Sequence, residues 1–452
     1  MSTNDDRSLT PFPDRSLSSP PAAEPILSAM AGDAFPLGAK EAIVQAATFR
    51  IGDYTWCEPD YRQILLWAEA LKMEPLTVIN KLVAGKKRTY GEEIATRFQD
   101  GRMVSLSWNL AELPLLEFRG VEGLAIEKLR IYHRADVAPG NSARTMTVHM
   151  PSLRILDFGH CGIERLSLLS VPALTELLCW ANPLTHLDLA NVPNLTSLTC
   201  WFAQLTELDL SNVPCLTSLS CERNMLTELD LSNVPRLTKL WCYDNRLTEI
   251  DLSGVPNLSV LNVDDNQLAG LDLSSVPQLS SLSYSKNQIT NLELWRVPDL
   301  TALHCCKNQL TELDLSYVPN LTALSCSKNQ LAELDLSSVP NLIRVECSDN
   351  QLTELELSCV PKLASLWCSG NEISDLELSH APNLTDLNCS ENLLMDLDLS
   401  HVPNLTMLSC DGNPLTKLDI RPLRQLESLY FDRWTTQLLR EEDQQFGDRD
   451  EL

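Results

Sequence analysis

The sequence contains no apolar run long enough to be a signal-peptide core or a membrane span. Residues 1–25 are rich in Ser and Pro and have no hydrophobic centre, so neither Sec export nor a membrane anchor is expected. Positive charge is scarce too: 35 Lys and Arg stand against 61 Asp and Glu, a formal charge of −26. Such a chain repels nucleic acid and anionic membrane surfaces, so neither is expected as a partner, while basic partners remain open. Cysteine is plentiful at 15, but no two form a C-x-x-C pair, which argues against a structural zinc site. None of the seven histidines belongs to an H-E-x-x-H helix or stands beside a G-x-S-x-G elbow. No catalytic residue, metal or cofactor is expected.

What the chain does have is a period. Val-Pro recurs every 21 residues, at Val171-Pro172, Val192-Pro193, Val213-Pro214 and onward to Val360-Pro361 and Val402-Pro403. Ala381-Pro382 fills the one gap in register, and Met150-Pro151 starts the series. A short fixed period means a solenoid, whose units bury their apolar faces only against their neighbours. The unit reads L-x-x-L-x-C-x-x-N-x-L-T-x-L-D-L-S-x-V-P-x, as in Leu216, Leu219, Cys221, Asn224, Leu226, Leu229, Leu231, Val234 and Pro235.

This pattern resembles the leucine-rich-repeat family, in strict register from residue 153 to about 430. Within that family the cysteine at the second inward strand position is similar to the repeat of bacterial internalin J. The resemblance implies an α/β leucine-rich-repeat solenoid, a curved parallel β-sheet wound as a right-handed superhelix, and the segments opening at Pro59 and Pro75 are expected to be helices that form a small N-terminal cap. It also implies non-enzymatic binding of another protein on the concave face, by a monomer. Internalins are normally exported and surface-anchored; lacking both signals, this chain is expected in the cytoplasm. Export without a Sec signal, as a bacterial effector, stays open. Effectors that act as ubiquitin ligases carry a catalytic cysteine in a large helical domain after the repeats. About a dozen and a half residues follow Trp434 and none is cysteine, so that activity is not expected.

Composition divides the chain into a disordered Ser/Pro-rich leader (1–36), a helical cap (37–100), irregular repeats with a loop (101–152), regular repeats (153–434) and a C-terminal cap end with an acidic tail (435–452). The tail from residue 441 is expected to be loose, and the bulky Leu426, Leu429, Phe431 and Trp434 to form the cap. Ten cysteines, from Cys179 to Cys410, share one repeat position, which Val263, Tyr284 and Phe158 take in other units. The requirement there is apolar filling, so a buried, reduced thiol ladder is expected. Asn182, Asn224 and their equivalents form a second ladder, whose carboxamides can satisfy backbone groups of the turn. Ala203 interrupts it and is expected to leave backbone groups unpaired.

The convex side is expected to carry acidic columns, one through Asp188, Asp209 and Asp230, another through Glu207, Glu228 and Glu249. They read as a solubilising surface that blocks lateral aggregation. His380 and His401 lie 21 residues apart but lack a third ligand. Residues 67–83 resemble a repressor helix-turn-helix, with Ala68, Met73, Val78 and Leu82 as core, Thr77 opening the second helix, and Lys86-Lys87-Arg88 beyond it. A DNA-binding regulator is therefore a further alternative, although Lys72 stands where glycine is usual and Glu74 would face phosphate.

Side chains alternate across a strand, so the residues flanking the inward Leu and Cys face solvent. In most units they are small or polar, such as Ser281, Ser283 and Ser285. Near the N-terminal end they are Leu178, Trp180, Trp201, Phe202, Trp241 and Tyr243, interrupted by Glu222 and Arg223. Aromatics clustered on an open surface are expected to bind the partner, unless the loop at 135–144 folds over them. Asp264, beside Asp244 and Asp265, and a basic row of Lys286, Lys307 and Lys328 are expected to orient it.

Overall fold

A computed structural model describes residues 48–51, 54–83, 87–89, 92–94, 96–99, 102–121, 123–132 and 144–446. The leader expected at 1–36, residues 133–143 with nearly all of the loop expected at 135–144, and residues 447–452 lie outside the described residues, as does Lys86.

Two helices open the molecule. Helix α1 (Glu58–Leu71) has Pro59 in its first turn, where no amide partner is needed, with Glu58 and Asp60 at its positive end. It stops at Lys72, whose φ of 54° breaks the helix while the Met73 amide reaches the Ala68 carbonyl at 2.9 Å. Helix α2 (Pro75–Val83) then lies against the strand Arg102–Asn109. Both bury one face: Ile64, Trp67 and Ala68 from α1, Val78, Ile79 and Leu82 from α2. Trp67 meets Trp108 edge-on at 5.0 Å, and Trp108 meets Phe118 at 5.3 Å.

Polar anchors fix α1 to the first turns of the solenoid. Asp60, fully buried, accepts the Met103 amide at 2.8 Å. Gln63 donates to the Arg119 carbonyl at 2.8 Å and accepts the Val121 amide at 2.9 Å. The helices thus cover the apolar end of the solenoid, where Met103, Leu106 and Trp108 would otherwise face water.

One long sheet then runs the length of the solenoid. Arg97–Gln99 pairs antiparallel with Arg102–Asn109, and every later pairing in this sheet is parallel. From Ile155–Asp157 onward the register advances by one repeat per strand, so that Leu198, Leu219 and Leu240 stack. A second short parallel sheet joins Glu117–Arg119, Thr145–His149 and Arg165–Ser170. Val-Pro works as a punctuation mark: the Val234 amide turns back to the Leu231 carbonyl at 3.2 Å, and the Leu237 amide to the Val234 carbonyl at 3.0 Å. Proline between them has no amide to leave unpaired.

The ladder cysteines are free and buried, with Val263 and Tyr284 at 0% exposure in the same column. Burial drives their thiols up, to about 12 for Cys347, so they act as small hydrophobes. The asparagine ladder is equally regular. Asn245 Nδ2 donates to the Cys221 and Cys242 carbonyls at 3.1 and 3.0 Å, and its Oδ1 accepts the Leu226 amide at 3.1 Å.

Three expectations are corrected. Ala203 does not leave its turn unpaired: Asn224 Oδ1 accepts the Ala203 and Leu205 amides, both at 3.0 Å. The Leu184 amide, which an asparagine at 203 would have taken, finds the Asn182 carbonyl at 2.8 Å. Trp434 is no part of a cap core, being 98% exposed. It falls at the asparagine position of the last unit, where Asp432 holds the turn instead by accepting the Gly412 amide at 2.7 Å. Residues 441–446 are docked rather than loose, because Gln444 Nε2 donates to the Ile420 and Leu423 carbonyls at 2.7 and 3.1 Å.

Candidate binding site on the sheet face

The expected aromatic residues come together on neighbouring strands. Leu178, Trp180, Trp201, Trp241 and Tyr243 are each half-buried on the open side of the sheet. Trp180 and Trp201 stack, with ring centroids 4.9 Å apart and planes 9° from parallel. On its other side Trp180 lies on Gly159, where an added Cβ would fall 2.0 Å from Cε2. Glycine there lets the indole rest on bare backbone. Phe202, 60% exposed, sits beyond the strand in the turn, at a φ of 53°. It belongs to the edge of the patch.

The charged residues are placed differently from one another. Asp264 is half-buried and tied to the next strand, accepting Ser283 Oγ at 2.7 Å and the Ser285 amide at 2.6 Å. Desolvation raises its pKa, and these hydrogen bonds pull it back. Lys286, Lys307 and Lys328 are exposed, but each occupies the left-handed turn residue just before a ladder asparagine, so they line the sheet edge. Gly370 and Gly412 take the same position in later units. Along this edge charges pair between rungs: Arg223 with Asp244 at 3.8 Å, Lys286 with Asp265 at 2.6 Å, and Lys328 with Asp349 at 3.3 Å.

Glu222, read from the sequence only as an interruption, is the unexpected member. It is 8% exposed, between Trp201 on the preceding rung and Tyr243 on the next, and accepts Ser220 Oγ at 2.7 Å. Burial raises its pKa, offset by that hydrogen bond and by Arg223. Trp367 was also missed. It is 41% exposed on the strand Ser365–Trp367, at the repeat position that Trp241 holds, and reading outward positions column by column would have found it.

The acidic columns have a local role. Asp209, Asp230 and Asp251 each accept the amide of the serine two residues on, at 2.9, 2.9 and 2.8 Å. These turns lead the chain into Val-Pro, and the bonds hold the carboxyls below their ordinary pKa. The two columns also wall an open groove of about 760 Å³ floored by Leu208, Leu229 and Ile250. His380 and His401 bond instead to Ser379 and Ser400 at 3.1 and 3.0 Å. Among the described residues no group of three His, Cys, Asp or Glu could hold a metal ion, and no helix is long and apolar enough to cross a membrane.

In the helix-turn-helix-like segment, Ala68, Val78 and Leu82 are buried and Met73 half-buried, while Thr77 is exposed. The one basic side chain of α2, Lys81, reaches Glu112 at 3.7 Å.

No protein-family model and no curated protein matches the sequence. Among solved structures, the functional domain of InlJ from Listeria monocytogenes, which includes a cysteine ladder, is similar at 33% identity with a TM-score of 0.60. The match covers 64% of this chain and 64% of that one, less than two thirds of the InlJ domain. A leucine-rich-repeat protein of Leptospira interrogans (23% identity, TM-score 0.58) matches over 64% of this chain and 80% of its own. The internalin InlF of Listeria monocytogenes (19% identity, TM-score 0.54) matches over 78% and 97%. These last two show the fold alone. With its 21-residue register, asparagine ladder and buried thiols, the chain is a leucine-rich-repeat solenoid whose cysteine-ladder units resemble those of InlJ.

Proposed function

We propose that this protein is a non-enzymatic interaction scaffold that binds another protein through the aromatic patch on its sheet face. The observation that carries this reading is the stacked, half-open Trp180–Trp201 pair with Trp241 and Tyr243 beyond it. A side chain inside a repeat core is dictated by packing, whereas nothing in the solenoid requires indoles on its open side. Large aromatics held rigid and partly exposed are what interface hot spots are made of. The edge charges at Lys286, Lys307 and Lys328 would set the partner's orientation more than its affinity, since two of them already have internal partners. Asp264, engaged by Ser283 and Ser285, supports the strand beneath the patch.

In this reading the chain acts as a monomer, and its place of action, cytoplasmic or exported as an effector, follows from the partner. The test is capture of partners from the source lysate by immobilised protein. Trp201→Ala with Trp241→Ala should abolish capture. It should also lower the melting midpoint far less than Leu219→Ala, a core truncation costing about 2–5 kcal/mol. Retained capture by a double mutant that has lost several degrees of stability would move the site elsewhere.

A further inference from the structure

The Leu219 rung carries a notch in the aromatic surface. Its outward residues are Ser218, Ser220 and the folded-down Glu222, while Trp201 stands on the rung before it and Trp241 and Tyr243 on the rung after. Trp180 covers one face of Trp201, so the opposite indole face looks across the notch toward Tyr243. Trp201 and Tyr243 are two rungs apart, roughly 9.6 Å at the usual strand spacing. Subtracting half a contact distance for each wall leaves a slot of about 6 Å, wide enough for a flat group about 3.5 Å thick.

The slot has a charged floor. Glu222 as a residue is more than nine-tenths buried, and its carboxylate is hydrogen-bonded by Ser220. Among the described residues no cation lies within 4 Å of it, and the adjacent Arg223 is directed to Asp244 at 3.8 Å. A desolvated carboxylate without a counter-ion is unfavourable in the free protein, and the loss is recovered only when a cation arrives. Asp244, Asp264 and Asp265 stand nearby, and the chain as a whole is strongly acidic, so a cation is drawn toward the notch before contact.

We propose that this notch receives the guanidinium of an arginine presented by the partner protein, stacked on the open face of Trp201 and hydrogen-bonded to Glu222. The proposal rests on the aromatic patch being the partner site. Arginine suits the slot better than lysine because its cation is planar, weakly hydrated and able to stack on an indole while forking to a carboxylate. A lysine ammonium would gain the charge but lose the stacking, and would give up a tighter hydration shell.

The probe is Nα-acetyl-arginine N-methylamide, with the lysine analogue and the neutral citrulline analogue as comparisons, followed by the indole N–H signals in NMR. The arginine probe should shift the Trp201 indole and bind at least about fivefold more tightly than the lysine probe. Citrulline should not bind. Glu222→Gln should weaken the arginine probe about tenfold or more without lowering the melting midpoint, since it removes a buried charge. Equal binding of arginine and citrulline, or an unchanged Glu222→Gln variant, overturns the assignment. If Trp201→Ala with Trp241→Ala loses partner capture while Glu222→Gln keeps it, the patch reading survives and the arginine notch falls. If Glu222→Gln loses the arginine probe while both variants keep the partner, the notch binds arginine but is not where the partner docks, and the proposal falls in that form.

Discussion

Two stretches of one sheet differ most where they face outward. From the Leu177 strand to the Leu261 strand the large residues on the open side are Leu178, Trp180, Trp201, Trp241 and Tyr243; from Leu282 to Leu324 the open side holds Ser281, Ser283, Ser285, Ala302, His304, Cys306, Ala323, Ser325 and Ser327. Inward, apart from Ala203 in the asparagine ladder and Val263 and Tyr284 in the thiol column, the two follow one pattern. Asn245 Nδ2 lies 3.1 Å from the Cys221 carbonyl, and Asn329 Nδ2 lies 3.0 Å from the Cys305 carbonyl. Each rung's interior is fixed by its two neighbours, so one wrong residue strains a whole stack. The outward positions carry no such constraint, and it is there that one half of the sheet has become unlike the other.

If the interiors are equivalent, breaking one has a calculable cost, and the largest effect should come from the asparagine ladder. Asn329→Ala removes the acceptor of the buried Leu310 amide, at 3.1 Å, and one of two donors from the Cys305 and Cys326 carbonyls. The loss should be about 2–3 kcal/mol in urea unfolding. The aromatic half already contains this defect at Ala203, where the Leu184 amide has found the Asn182 carbonyl. A loss below about 0.5 kcal/mol at Asn329 would mean that any turn can make the same adjustment. Hydrogen exchange at Ala203 and Leu205, both bonded to Asn224, should be as slow as at Leu247, bonded to Asn266.

The contrast also explains what the sequence could tell. Every core position from Leu153 to Leu429 was legible because the period aligns it with a dozen copies of itself. The aromatic patch was legible for the same reason, since Trp180 and Trp201 stand out against a column of serines. What was not legible depends on contacts that no column records. Glu222 reads like any surface glutamate until it is seen folded down between its neighbouring rungs and bonded by Ser220. Trp434 reads like a cap residue until Asp432 is seen holding the turn. Asp60 and Gln63, which anchor α1, reach across more than forty residues to Met103 and Val121. Ala203 looks like a hole because periodicity shows what is missing and not what moves in to replace it.

A smaller effect tests whether the thiol column is the same in both halves. Cys200→Val and Cys326→Val should each change stability by less than about 1 kcal/mol, since the chain itself places Val263 in that column at 0% exposure. Serine should cost about 1–3 kcal/mol at either site, through a buried hydroxyl without an assured partner. In the native protein a thiol reagent should find the exposed Cys359 quickly, and the ladder only after unfolding. A difference between the two valine variants would show that the aromatic surface strains the core beneath it.

The smallest effect is set by acid. Asp209, Asp230 and Asp251 in one half, and Asp314 and Asp335 in the other, have pKa values lowered chiefly by bonds from the following serine. A carboxyl whose folded pKa is depressed contributes stability above its ordinary value of about 3.9, and that contribution is lost as pH falls through the folded value. Asp335→Asn keeps an acceptor for the Ser337 amide, now at 2.8 Å, but takes up no proton. Its melting midpoint should lie slightly below wild type at neutral pH, and the gap should close below about pH 4. The aromatic half contains two carboxyls shifted the other way, Glu222 and Asp264, whose burial raises their pKa. Both favour the folded state once protonated, so as pH falls from about 5 to 3 this half should lose less protection than the serine half. Hydrogen exchange across that window reads both halves in one sample. Parallel loss in the two would mean that Glu222 and Asp264 are better solvated than their burial indicates, and the recovery of Glu222 by a bound cation would shrink with it.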